Sequence, residues 1–317
     1  MSSNNKYNLS EIDRRLPNRF DMYCFASFES RCYSIASKMN VSKVNKAFVF
    51  QNTNPECSSL IGENTAKLRG YFTNSSVLDV DLDQPMSLFN RIQNAISETI
   101  DSEIKNIVID ISTFTHEALL MMMHVLYNKK TVFDHVVLLY NGATKYADWL
   151  SKGCKDVRNV IGYPGFFTPA KKDHLIVLTG FEKERAIQLV ESFEPEILSI
   201  GNGVDPTHEN HKETMESIKC EFEDWYSNLG MKWSSFDFSC SDINSTVDTL
   251  KSLIDISKNT IIAPLNTKLS TIAVGLVALE NSKIQVLYPI PEVYNSDYCE
   301  ASDNCRIIEL KDFTVFQ

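Results

Sequence analysis

Residues 105–127 read KNIVIDISTFTHEALLMMMHVLY, and residues 258–280 read KNTIIAPLNTKLSTIAVGLVALE. Each is Lys-Asn, a short apolar run, a polar break and a longer apolar stretch, and the second starts 258 − 105 = 153 residues after the first. A four- to six-residue apolar run without polar alternation reads as a strand covered on both faces. The stretch after the break reads as a helix. Strand, tight break and helix is the element of a parallel α/β sheet, written here twice.

Other segments repeat outward from this pair in the same order. Phe28-Glu29 recurs as Phe181-Glu182, again at a shift of 153. KAFVFQN (46–52) matches EILSIGN (196–202), both ending in Asn, and SVLDV (76–80) matches SFDF (235–238), with Asp79 over Asp237. VVLLYNGATKY (136–146) matches IQVLYPIPEVY (284–294), each with two tyrosines separated by five residues. Between these runs, Leu88, Ile92, Ile96 and Ile100 in the first half, and Val247, Leu250 and Ile254 in the second, carry helical spacing. The expected fold is α/β: internally duplicated Rossmann-like units with mainly parallel sheets, helices on both faces and a pseudo-twofold relation between halves. The expected boundaries are a polar arm over 1–19, halves over 20–150 and 172–301, a linker over 151–171, and a hairpin or edge strand over 302–317.

The chain has 317 residues, 43% of them hydrophobic, and a formal net charge of −10. That charge argues against non-specific nucleic-acid binding, which needs clustered cations facing phosphates. The eight cysteines form no CxxC pair, which fits reduced core residues rather than a disulfide framework. The N-terminus lacks the apolar core of a signal peptide, and no run approaches the ~18 apolar residues of a membrane span. A cytoplasmic protein without a membrane segment is expected.

In open α/β sheets ligands bind beyond the carboxyl ends of the strands. The polar residues expected there are Asn52, Thr113, Thr115 and His116 in the first half. In the second half they are Gly180, Glu182, Gly201, Asn202, Gly203, Asp205, Asn266, Thr267 and Lys268. GNGVDP (201–206) reads as a glycine turn followed by an Asp-Pro helix start, whose opened amides suit a phosphate. Lys268 offers a point charge at a helix start, where the first half has His116. His208 and His211, beside Asp205 and Glu209, lack a third nearby His or Cys, so no metal site is assigned. No cofactor is assigned either. Glu29 and Glu182, with Arg31 and Arg185 close behind, read as first-turn carboxylates favoured by the helix dipole.

NTKLSTIAVGLVALE (266–280) resembles the turn and helix after the fourth strand of CARF domains, the Rossmann-like sensors of cyclic oligonucleotides in prokaryotic antiviral systems. Asn266 stands where that turn has glycine, and the first half has no lysine there. Paired CARF-like units, as in SAVED domains, would match the duplication. The resemblance implies a nucleotide or cyclic oligonucleotide ligand, with Thr267 and Lys268 as contacts. A nucleotide-sensing or regulatory module is therefore the leading expectation. A nucleotide-cleaving enzyme using Glu182, Asp205 or Lys268 is the first alternative, and a structural subunit with a protein partner or a homo-oligomer is the second.

Overall fold

The computed structural model describes residues 6–53, 58–147, 149–205, 209–228, 232–295, 297, 299–311 and 313–316. The chain forms two compact units, residues 1–146 with 296–317, and residues 147–295.

Unit 1 opens with β1 (Lys6–Asn8) and a 3-10 turn over Leu9–Arg15. It continues with β2 (Phe20–Ala26), α1 (Arg31–Ser34), β3 (Val44–Asn52), α2 (Ser58–Tyr71), β4 (Ser75–Val80), α3 (Pro85–Asp101), β5 (Asn106–Asp110), α4 (His116–Tyr127) and β6 (His135–Tyr146). Unit 2 adds two short or edge strands, β7 (Ser151–Lys152) and β8 (Asp156–Pro164). Its main run is β9 (Asp173–Leu178), α5 (Lys183–Phe193), β10 (Ile197–Val204), α6 (Glu209–Ser227), β11 (Lys232–Ser239), α7 (Ile243–Leu253), β12 (Asn259–Pro264), α8 (Lys268–Glu280) and β13 (Gln285–Ile290). β14 (Val293–Tyr294) closes it, and β15 (Cys299–Lys311) and β16 (Thr314–Phe316) return to unit 1.

The central strands run β6-β5-β2-β3-β4 in one sheet and β13-β12-β9-β10-β11 in the other. Numbered within each unit, both orders are 5-4-1-2-3, and all of these neighbours pair in parallel. This is a Rossmann-like order, one of those that alternating strands and helices allow. The pairing registers agree as well. Cys24 lies opposite Asp110 and Val177 opposite Ala263, so both members shift by 153. Ile109 lies opposite Leu138 and Ile262 opposite Val286, and Val49 faces Val77 where Ile200 faces Ser235.

One sequence match is displaced. Cys24 faces Val49 and Val177 faces Ile200, which equates Asn52 with Gly203 and not with Asn202. The physical reason is that strands buried on both faces carry no alternation to fix a one-residue register.

Two segments differ from their expected roles. Residues 156–164, within the segment read as a linker, form β8, which pairs antiparallel with β13 at the edge of the second sheet. An edge position tolerates the Gly162 and Pro164 that made this segment read as a loop. β15 and β16 pair as an antiparallel hairpin, and β15 also pairs antiparallel with β6 of the first sheet and carries β1 on its other side, so residues 6–8, read as part of a polar arm, belong to that sheet. Each sheet thus gains an antiparallel sixth strand beside its fifth, one from before its unit's main run and one from after it.

The two quoted stretches become β5 with α4, and β12 with α8. α4 is buried from Glu117 through Met123 and again at Val125 and Leu126, and α8 from Leu269 to Ala278. Helices apolar on every side are buried helices. α3 packs on α4, and α7 packs on α8. The core of unit 1 gathers around Phe20, Met22, Val49, Leu68 and Val108, and that of unit 2 around Leu175, Val177, Leu189, Ile200 and Ala263.

Candidate functional site at the strand carboxyl ends

The strand order reverses between the first and fourth strands of each unit, the place where open α/β sheets take ligands. In unit 2 the loops meeting there follow β9 and β12, and they touch. A Cβ on Gly180 would lie 1.9 Å from the Leu265 carbonyl oxygen, so only glycine allows this approach. The Asn266 amide donates to the Thr179 carbonyl (2.6 Å), and its Oδ1 accepts from the Thr267 amide (2.8 Å). Thr267 caps α8, its Oγ1 accepting from the Ser270 amide (3.2 Å) while donating to the Cys240 carbonyl (3.0 Å). Lys268, half-buried, is the first residue of α8.

Unit 1 carries the same brace with different residues. Thr113 Oγ1 donates to the Phe25 carbonyl (2.6 Å), Thr115 caps α4 by accepting from the Ala118 amide (3.0 Å), and His116 opens the helix. Asn52 ends β3 at the same edge of the sheet, half-buried.

The GNG stretch is strand, not turn. Gly201, Asn202 and Gly203 all lie in β10, and the rings of Phe236 and Phe238 occupy the space where a residue-201 Cβ would project. Asn202 reaches toward Asp237 Oδ1 at 3.5 Å. Asp205 is not a helix cap. Its φ is +50°, and its carboxylate accepts from Ser239 Oγ (2.8 Å), the Cys240 amide (3.0 Å) and Ser241 Oγ (2.9 Å). It ties the end of β10 to the loop after β11, while α6 begins at Glu209. His208 lies outside the described residues, as does the side chain of His211. Among the described residues no group of three or more His, Cys, Asp or Glu is placed to hold a metal.

Glu182 is held in a buried cluster that sequence reading missed. Its side chain and that of Arg185 are 12% and 5% exposed and 3.9 Å apart. Burial raises the Glu182 pKa, against the pull of Arg185 and a hydrogen bond with Ser151. Arg185 also donates to Ser151 Oγ and to the Pro289 carbonyl, and lies over the Tyr288 ring, 5.4 Å from its centroid. Tyr288 and Tyr294 are hydrogen-bonded to each other, and burial raises the Tyr294 pKa.

Unit 1 repeats the cluster. Glu29 Oε2 accepts from Arg31 Nε (2.9 Å) and Nη2 (2.7 Å), and takes the Cys299 thiol at 3.0 Å. Tyr140 and Tyr146 are hydrogen-bonded, and both are raised by burial. Asn141 braces the floor, donating to the Ser302 and Asn304 carbonyls. The signals were present in the sequence as two separate recurrences, Phe-Glu and the paired tyrosines. What the sequence does not show is that they meet.

Unit 1 also holds Asp110, fully buried at the end of β5 and facing Cys24 across the sheet. Desolvation pushes its pKa up to about 7, against hydrogen bonds from Ser112 and the charge of Arg31. An unfolded aspartate ionises near 3.8, so between these values the folded state holds a proton that the unfolded chain lacks. The stability this group allows is complete below pH ~4 and is lost as pH rises through ~7. Asp110→Asn, which keeps an acceptor for the Ser112 amide, should therefore gain stability over the parent between pH 5 and 8 in urea unfolding. A constant difference across that range would show that Asp110 is ionised throughout.

No family model matches the chain, and no curated protein matches it. One solved structure similar to it is AtPrR2 with NADP+ and (+)pinoresinol, at 8% identity and a TM-score of 0.28, covering 76% of this chain and 85% of that one. Among the described residues no helix is long and apolar enough to cross a membrane.

Proposed function

We propose that the chain is a nucleotide-sensing or regulatory module made of one Rossmann-like unit written twice, and that a phosphate-bearing ligand binds at the strand carboxyl ends of unit 2. The observation that carries this reading is the brace at the switch point. Gly180, Asn266 and Thr267 lock the loops after β9, β11 and β12 together, and α8 starts from that platform with Lys268 in its first turn. First-turn amides supply directed donors and a lysine supplies a point charge, the combination that suits phosphate. The likeness of 266–280 to the CARF turn supports a cyclic oligonucleotide as the ligand and an antiviral defence setting.

Turnover is the second reading, and the geometry of the carboxylates favours binding over it. Glu182 is buried against Arg185, and Asp205 is held by three donors, so neither is presented as a general acid or base. Incubating the protein with mononucleotides, dinucleotides and cyclic oligonucleotides, read by thermal shift and product analysis, separates the two. Binding without product is expected, and product formation would replace this reading with the enzymatic one. Lys268→Ala should weaken binding of the responsive nucleotide by ~1.5–3 kcal/mol in calorimetry, the range for hydrogen bonds to a charged group. Unchanged affinity would remove the α8 start from the site.

A further inference from the structure

His174, the second residue of β9, is 3% exposed. Its Nε2 lies 2.8 Å from Ser199 Oγ on β10, and that hydroxyl lies 3.2 Å from Ser234 Oγ on the edge strand β11. Its Nδ1 is buried and has no hydrogen-bond partner among the described residues. A ring proton on Nε2 donates to Ser199 and leaves only a lone pair at Nδ1. A ring proton on Nδ1 would leave a buried N–H unpaired, the rarer and costlier defect.

The fold does not impose this missing partner. Asp21 holds the same place in unit 1, since it lies opposite Ile107 as His174 lies opposite Thr260, both members shifted by 153. Its Oδ1 accepts from Asn45 Nδ2 (2.9 Å) and its Oδ2 from Thr99 Oγ1 (2.8 Å). Each unit buries a titratable side chain at the amino end of its first strand. Unit 1 partners both polar atoms of that side chain, and unit 2 partners one.

We propose that His174 is an acid-sensitive latch: β9, β10 and β11 stay packed at their amino ends only while its imidazole is neutral, and protonation releases this end of unit 2. The latch lies at the opposite strand ends from the site above and does not depend on the nucleotide reading.

An imidazolium would carry a second N–H without an acceptor and a buried charge without a bonded carboxylate. The charged groups that act on the ring are Lys258 and Asp255, paired at 3.2 Å in the turn before β12, and the lysine opposes protonation more than the aspartate assists it. The neighbouring Asp173 carboxylate accepts from Asn259 Nδ2 (2.8 Å). α7 and α8, packed on β11 and β12, carry Lys251 and Glu280, which pair with each other at 2.6 Å, and Lys232 of β11 is exposed. Burial, with Lys258 behind it, lowers the His174 pKa from 6.5 to about 4. The unfolded chain therefore takes up a proton near pH 6.5 that folded unit 2 refuses. The stability that neutral His174 allows is complete above pH ~6.5 and is lost as pH falls from there to ~4, the opposite sign to Asp110 in unit 1.

Urea unfolding followed by tryptophan fluorescence tests this, because all three tryptophans lie in unit 2. His174→Gln keeps an amide donor for Ser199 and does not titrate. Between pH 6 and pH 5 the unfolding constant of the parent should rise about 5- to 10-fold more than that of the variant, since one proton changes it by up to about tenfold per pH unit. Hydrogen exchange at residues 173–178, 197–200 and 232–236, corrected for intrinsic rates, should quicken over this range in the parent and not in the variant. His174→Asn serves if His174→Gln does not fold. If neither folds, nitrogen-15 spectra of the parent's imidazoles decide, and at pH 5 the folded protein should retain a neutral ring protonated on Nε2. Unfolding constants of parent and variant that change in parallel overturn the proposal, and so does a folded parent in which all six histidines are protonated at pH 5.

Discussion

Glu29→Ala should lower the unfolding free energy by about 3–5 kcal/mol, the cost of leaving one partner of a buried ion pair uncompensated. The side chains of Arg31 and Glu29 are 6% and 9% exposed and bonded through two nitrogens, so water cannot replace the carboxylate. Arg31 joins the start of α1 to β6 through the Asn141 carbonyl, and the damage should appear in β2 and β6. The three tryptophans, Trp149, Trp225 and Trp233, all lie in unit 2, so fluorescence follows the wrong unit. Hydrogen exchange at residues 20–26 and 135–146 is the suitable readout. Glu29→Leu combined with Arg31→Met should recover much of the loss, because removing both charges also removes their desolvation. Glu182→Ala should cost less than Glu29→Ala, since the 3.9 Å pair is looser and Arg185 keeps Ser151, the Pro289 carbonyl and Tyr288. Equal losses from the two single variants would show that the clusters are energetically alike.

Gly180→Ala is the second large effect. Its new Cβ would sit 1.9 Å from the Leu265 oxygen and 2.9 Å from the Leu265 carbon, and backbone cannot swing aside as a side-chain tip can. The loops after β9 and β12 must part, at a cost of about 1–3 kcal/mol or more for overpacking. Parting them breaks the bond from Asn266 to the Thr179 carbonyl and tilts the start of α8. Nucleotide binding should fall at least as far as in Lys268→Ala, with unfolding by tryptophan fluorescence shifted to lower denaturant. A variant of unchanged stability would mean that the two loops do not make this contact.

Most of the architecture was legible because strand-like and helix-like runs alternate along both halves of the chain. Alternating apolar runs and helical spacing define five strands and four helices per unit, while the strand order is settled by the pairing and not by the pattern. The match of Asn52 with Asn202 failed because strands buried on both faces have no polar rhythm to hold register. β8 was hidden by glycine and proline, which an edge strand accepts and a central strand does not. The site was legible in position more than in role. Thr113, Thr115, Asn266 and Thr267 do stand at the strand ends, but their polar atoms brace loops and cap helices. Short polar side chains at helix starts serve backbone first, and spacing alone cannot separate that duty from ligand contact. The Glu29–Arg31 and Glu182–Arg185 clusters escaped for the opposite reason, since their tyrosine partners lie more than one hundred residues away.

Hydrogen-exchange mass spectrometry of the protein, alone and saturated with whichever nucleotide gives the largest thermal shift, tests the central claim most directly. The account predicts new protection in three segments of unit 2, residues 179–183, 203–205 and 265–270, with the amino-end loop 165–172 unchanged. Protection that appears elsewhere while these three segments exchange as before would contradict it.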